Sequence, residues 1–181
     1  MTDRLKKAVK TLKTGGVIAF PTETVYGLGT LLKNKKAIAR IFEIKKRPRT
    51  KPLQVLVASL EQAKKLGTFN KQALELAEKN WPGPLTLIVK KKRTVPKIVT
   101  GGRLTVGLRV PDHKIALELT ELCGPIVATS ANKSGEKPAL TARQVKKQLP
   151  EIDYVLSGRA GSGKPSQVID ATAGCRVLRG A

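Results

Sequence analysis

Short apolar runs of strand length, many of them cut off by proline or by a polar or Gly-rich segment, alternate along this chain with stretches of helical period. V-I-A-F at 17–20 stops at Pro21, and L-T-L-I-V at 85–89 follows the rigid W-P-G-P turn at 81–84. Residues 104–110 alternate and stop at Pro111; L-Q-V-L-V at 53–57 and I-V-A-T at 126–129 are of the same kind. Such runs read as strands, because proline fixes φ and has no N–H to give to a ladder. Residues 25–32, 152–156, 167–170 and 175–178 are further extended segments.

Helical stripes lie between them. Leu5, Ala8, Val9 and Leu12 share one face of 2–13, with Thr2 as cap and Gly15-Gly16 as stop. Ala37, Ile38, Ile41, Phe42 and Ile44 form the stripe of 35–45, which Pro48 terminates. Helices are also expected over 60–67, 70–80, from Asp112 as cap to 122, and over 141–149 with Thr141 as cap. Residues 90–102 read as a basic connector. Strands alternating with helices predict an α/β fold. The late strands lack crossover helices, so the sheet should be mixed and open rather than purely parallel. No linker or internal repeat interrupts the pattern, and residues 1–181 read as one domain.

Composition narrows the function. Hydrophobic residues are 40% of the chain, enough for a core despite the charge. No run approaches the ~18 apolar residues of a membrane span, and no signal-peptide pattern opens the chain. A cytoplasmic protein with no membrane association is expected. Cys123 and Cys175 are isolated and His113 is the only histidine, so disulfide frameworks, cysteine zinc sites and histidine triads are not suggested. Net charge is +22, concentrated in residues 1–100, which hold 23 Lys and Arg against six acids. Residues 33–51 alone carry nine basic residues against Glu43. Such a field attracts nucleotides, RNA or an acidic partner, although much of it can be solvated surface.

Three polar runs carry the chemistry. K-K-R-P at 45–48 puts a mobile point charge, Lys45, and a planar fork, Arg47, at a helix end. A cation there is also what the helix dipole favours without any ligand. T-S-A-N at 129–132 follows a strand, where open α/β sheets gather ligands, and alternation lets Ser130 and Asn132 face one cavity. P-T-E-T-V-Y-G-L-G at 21–29 is the most specific run: Thr22 and Thr24 share one side, and its glycines allow close backbone approach. Glu23 can pair with an arginine, contact an ammonium or help hold a metal. Tyr26 can line a pocket or pack in the core. By contrast G-R-A-G-S-G-K at 158–164 fails as a phosphate loop, because Pro165 stands where Ser or Thr and then a helix are required.

The combination of K-x-R (Lys45, Arg47) with S-x-N (Ser130, Asn132) and the run at 21–29 resembles the YrdC-type threonylcarbamoyl-AMP synthases. W-P-G-P-L-T at 81–86, G-L-R-V-P at 107–111 and P-S-Q-V-I-D at 165–170 are similar to further motifs of that family. The length fits the family's short single-domain form. The resemblance implies a twisted open α/β sheet with a positively charged cavity. It also implies that L-threonine, bicarbonate or CO2, and ATP with Mg2+ give threonylcarbamoyl-AMP and pyrophosphate. That product feeds N6-threonylcarbamoyladenosine at position 37 of ANN-decoding tRNAs, through a separate transferase complex.

By the same resemblance, Lys45 and Arg47 are the catalytic cations. Arg47, Lys51, Ser130, Asn132 and Ser166 would contact ATP, and Thr22 and Arg109 would hold threonine. Thr24 and Tyr26 are possible pocket residues, and no protein metal ligand is assigned. Some longer relatives have a histidine where this chain has Leu56. Two rivals stand beside this reading. One is a non-catalytic tRNA- or rRNA-binding module, which the charge supports and the 3% aromatic content opposes. The other is a different carbamoyl or acyl adenylate enzyme sharing the cavity.

Overall fold

A computed structural model describes residues 1–180. In chain order the elements are α1 (Asp3–Lys13), β1 (Ile18–Phe20), β2 (Gly27–Leu31), α2 (Lys35–Lys45), β3 (Gln54–Leu56), α3 (Leu60–Lys64), β4 (Gly67–Thr68), α4 (Lys71–Asn80) and β5 (Leu85–Lys91). They continue as α5 (Lys97–Thr100), β6 (Thr105–Arg109), α6 (Lys114–Cys123), β7 (Ile126–Ser130), α7 (Ala142–Gln148), β8 (Tyr154–Val155), β9 (Gln167–Asp170) and β10 (Arg176–Arg179). The strands form one sheet in the order β10-β9-β5-β6-β3-β7-β2-β1-β8, with β4 added against β5. Pairs β1–β8, β3–β6 and β5–β9 are parallel and the rest antiparallel, so the sheet is mixed, as the late strands predict.

Strand alternation sorts the sheet into two unlike faces. Leu28, Val55, Leu87, Val89, Val106, Leu108 and Val127 point to one face and pack against the apolar stripes of α2, α4 and α5 in the larger core cluster. Ile18, Phe20, Leu31, Leu56, Ile126 and Ala128 point the other way, under Leu5, Ala8 and Leu12 of α1 and Ala116 and Leu119 of α6. On this second face α1 and α6 cover one end of the sheet. Toward β5 and β6 the same face carries Gln54, Thr86, Gly107 and Arg109, and there it is hollow.

Local capping follows the sequence at most helix ends. Thr2, Asn34, Ser59 and Asn70 each accept from a backbone N–H of the first turn, and Thr141 with Gln144 closes a reciprocal capping box. Three expectations need correction. Asp112 does not cap α6: His113 holds that position without a side-chain cap, and the Asp112 N–H is used by Glu23 Oε1 at 3.0 Å. The helix expected over 60–67 stops at Lys64, because Gly67 and Thr68 pair with Lys91 and Lys90. The connector at 90–102 contains the last residues of β5 and all of α5.

Candidate active site

The hollow part of the second face is a cavity of about 260 Å³. Its floor is the sheet: Gln54 and Leu56 of β3, Thr86 and Ile88 of β5, Gly107 and Arg109 of β6, Ala128 and Ser130 of β7. Its rim comes from Thr22, Thr24, Arg47, Pro138, Ser166 and Arg179. Three arginines line it, and no acidic side chain does among the described residues.

The K-x-R run divides its two cations. Lys46 ends α2 with φ 51°, the only non-glycine residue at positive φ among those described. That left-handed turn costs about 1 kcal/mol and sends the flanking side chains in different directions. Arg47 goes to the cavity, where its Nη2 donates to the Pro52 carbonyl at 2.9 Å and its Nε to that of Lys51 at 3.4 Å. Lys45 is buried, 1% exposed, and its Nζ donates to the carbonyls of Ser130 and Asn132 at 2.5 Å each. It is a clamp between α2 and the S-x-N loop rather than a projecting cation. Burial, then the neighbouring Arg47 guanidinium, pushes the Lys45 ammonium down to about 7.

The S-x-N residues also part. Ser130 lines the cavity. Asn132 is buried behind it, with Nδ2 donating to the carbonyls of Lys133 and Glu136 at 2.8 Å and Oδ1 without a partner. Lys51 is exposed, precedes β3 and does not line the cavity; its carbonyl, not its ammonium, meets Arg47.

The run at 21–29 builds the opposite wall. Thr22 and Thr24 Oγ1 lie 2.9 Å apart, and both line the cavity. Arg109, 2% exposed, donates from Nη2 to Glu23 Oε1 at 2.5 Å and to Thr24 Oγ1 at 3.3 Å, and from Nε to the Gly83 carbonyl at 3.1 Å. Tyr26 also belongs to the cavity lining; its side chain is fully buried in this wall, its hydroxyl donating to the Gly158 carbonyl at 2.8 Å, and burial raises its pKa. Residues 158–165 form a loop, not a helix. It lies along Thr22–Glu23–Thr24, with the N–H groups of Gly161, Ser162 and Gly163 donating to the three carbonyls in turn. A Cβ on Gly161 would collide with the Glu23 carbonyl oxygen, so that seam needs glycine.

Sequence reasoning missed Arg179, Thr86 and Gln54. Arg179 donates to the Ser166 carbonyl from Nε at 3.1 Å and from Nη2 at 3.0 Å, and to Ser166 Oγ from Nη2 at 3.1 Å. Its pKa is lowered by burial and then by Arg109, and that of Arg47 by burial and then by Arg179. The three guanidinium groups therefore share one field across the cavity. Thr86 carries a signal: it is the one hydroxyl in the apolar run 85–89, one residue out of phase with buried Leu85 and Leu87.

The chain is thus an open mixed α/β sheet with an arginine-lined cavity on one face, and comparison with known proteins places it in a family. The sequence model of the Sua5/YciO/YrdC domain, described as Telomere recombination, matches residues 10–181, and the chain belongs to this family. It is 42% identical over 173 residues to a threonylcarbamoyl-AMP synthase of Pyrococcus abyssi, covering 93% of this chain and 51% of that protein. The chain thus spans about half the length of that relative. It is 38% identical over 177 residues to a threonylcarbamoyl-AMP synthase of Vibrio vulnificus, covering 94% of this chain and 95% of that one. The crystal structure of P. abyssi Sua5 complexed with L-threonine superposes with a TM-score of 0.92 at 40% identity, covering 97% of this chain and 53% of that one.

Proposed function

We propose that the chain is an L-threonylcarbamoyladenylate synthase, a nucleotidyltransferase that condenses L-threonine, bicarbonate and ATP. The observation that carries this reading is the meeting of three distant runs at one cavity. Arg47 comes from 45–48, Ser130 from 129–132, and Thr22 and Thr24 from 21–29, with Arg109 and Arg179 between them. The names of the relatives at 42% and 38% identity support the same activity.

The chemistry needs no side-chain nucleophile. The threonine amine attacks the bicarbonate carbon, forming a C–N bond and releasing water, to give a carbamate. A carbamate oxygen then attacks the α-phosphorus; the bond to the bridging oxygen breaks and pyrophosphate leaves. The protein's task is to hold several anions together and stabilise charge developing on the phosphate. Arg109 and Thr22 hold the threonine moiety. Arg47 and Arg179 take the phosphates, with Ser130 and Ser166 on the nucleotide. Mg2+ enters with ATP as part of the substrate. Bound with ATP, it would shield the charge of the leaving pyrophosphate.

The product is consumed by a threonylcarbamoyl-transferase complex in the cytoplasm, which completes t6A37 on ANN-decoding tRNAs. The charge of +22 favours RNA contact as a second property of the same chain. The test is pyrophosphate release from ATP with threonine and bicarbonate each omitted in turn. Release that requires both supports the synthase. Its absence in a folded protein that binds RNA with a steep salt dependence would replace the synthase with a binding module.

A further inference from the structure

The cavity floor holds a connected chain of polar side chains. Arg179 Nη2, which can only donate, donates to Ser166 Oγ at 3.1 Å. Ser166 is 3% exposed, and its own hydroxyl proton reaches Thr86 Oγ1 at 3.0 Å. Thr86, accepting that proton, gives its own to Gln54 Oε1 at 2.9 Å. Gln54 Oε1 thus faces Thr86, and the Nε2 group, which has no partner among the described residues, is a free donor within the cavity.

The sheet makes room for this. Gln54 pairs in register with Gly107 on one side and Ala128 on the other. The hydrogen bond to Thr86 passes over Gly107, where a Cβ would stand 3.2 Å from Thr86 Cγ2 and 3.8 Å from Gln54 Cβ. With small neighbours on both sides, the Gln54 amide stands alone at mid-floor. Along β3 it lies between the two arginines: Arg47 binds the carbonyl of Pro52, two residues before it, and Arg109 is in register with Leu56, two residues after it.

We propose that Gln54 is a further substrate-binding residue, donating from Nε2 to an oxygen of the bicarbonate-derived carbamate, and that Thr86 is the positioning residue that aims it. This rests on the synthase reading. If Arg47 takes phosphate and Arg109 the amino acid, the group joining them is the carbamate, and Gln54 lies between. A neutral donor suits that place: it binds the carbamate oxygen without the charge that would quench its attack on phosphorus.

Steady-state pyrophosphate release by the full chain tests this, with bicarbonate, threonine and ATP varied separately. Gln54→Leu should lower kcat/KM for bicarbonate about 10- to 100-fold, while KM for ATP stays within about 3-fold of wild type. Thr86→Val should give part of that loss in the wild-type background and add little to Gln54→Leu, because the two act through one amide. A thermal melt identifies any variant that fails to fold, and Gln54→Met then serves as the replacement for Gln54→Leu. Unchanged bicarbonate dependence in a folded variant, or equal losses for ATP and bicarbonate, would overturn the role of Gln54 and leave the synthase standing. Failure of the wild-type protein itself to release pyrophosphate would overturn both.

Discussion

Lys45 and Ser130 are joined across 85 residues of sequence by a hydrogen bond of 2.5 Å, from the buried Nζ at the end of α2 to the last carbonyl of β7. A second bond of the same length runs to the carbonyl of Asn132. The two sequence runs that most resemble the family signature are thus fastened to each other. Lys45 holds the loop, while Arg47, turned by the left-handed Lys46, faces the cavity.

Lys45→Met should therefore destabilise the fold, by about 2–4 kcal/mol, since two buried carbonyls lose their donor. Denaturant unfolding measures it. The same variant should lose pyrophosphate release even where it remains folded, because Ser130 is no longer held at the cavity edge. A folded, fully active Lys45→Met protein would contradict the clamp.

The clamp predicts a pH dependence. Lys45 titrates near 7 in the folded chain and near its ordinary value of 10.5 when unfolded. Between those values the unfolded state holds more protons, so this group adds stability as pH rises from about 7 to about 10.5 and loses it as pH falls back through 7. A neutral amine still has two N–H donors, one for each carbonyl, so the bridge survives deprotonation. The stability difference between wild type and Lys45→Met should grow over this window, by at most about 1.4 kcal/mol per pH unit. A difference that stays flat from pH 7 to 10 would show that the buried ammonium keeps its ordinary proton affinity.

Much of this was legible in the sequence, and the rest was lost for identifiable reasons. The stripe at 35–45 matched α2 at both ends, because its periodicity and its Pro48 stop are local. Thr22, Thr24, Arg47, Arg109, Ser130 and Ser166 were picked out by motif and all line the cavity. Thr86 ends the motif at 81–86 but was given no role, and Gln54 stands in no motif, since the two meet only through the register of β3 and β5 on either side of Gly107, and register between distant strands leaves no local mark. Arg179 reaches the cavity because β10 folds back along β9, another non-local pairing. Lys45 shows the opposite failure: a cation at a helix end looks exposed in sequence, and only the turn at Lys46 reveals that it is buried.

Arg47→Ala should reduce synthesis by about 10²-fold or more, because a guanidinium aimed at developing phosphate charge is lost. Arg47 holds only two carbonyls, those of Lys51 and Pro52, so the fold should tolerate the change. Pyrophosphate release and a thermal melt on the same preparation separate the effects. Near-wild-type turnover in the folded variant would remove Arg47 from the mechanism.

The shared field of Arg47, Arg179 and Arg109 predicts that polyphosphates stabilise the protein. Each lowered guanidinium pKa marks repulsion or burial that a bound anion would relieve. ATP or pyrophosphate at a hundredfold excess over Kd should add about 2.7 kcal/mol, read as a rise in Tm. Arg179→Ala should weaken that binding about 10-fold or more, given the usual strength of a charge-assisted hydrogen bond. Equal stabilisation of wild type and Arg179→Ala would place the phosphates elsewhere.

Glu23 is the counter-charge on the threonine side. Its Oε1 accepts from Arg109 at 2.5 Å and from the Asp112 N–H at 3.0 Å, while its Oε2 is buried without a partner. Glu23→Gln keeps the shape and removes the charge, leaving a 3%-exposed guanidinium uncompensated; a loss of about 1–3 kcal/mol is expected. The substrate carboxylate can supply the missing charge. Threonine at a fixed concentration should therefore raise Tm more in Glu23→Gln than in wild type, and KM for threonine should fall with it, since the larger Tm shift is tighter binding to the folded state. Both readouts depend on Arg109 facing the amino acid. The same threonine-induced shift in both proteins would mean that Glu23 and Arg109 form a structural pair, with threonine held by other groups.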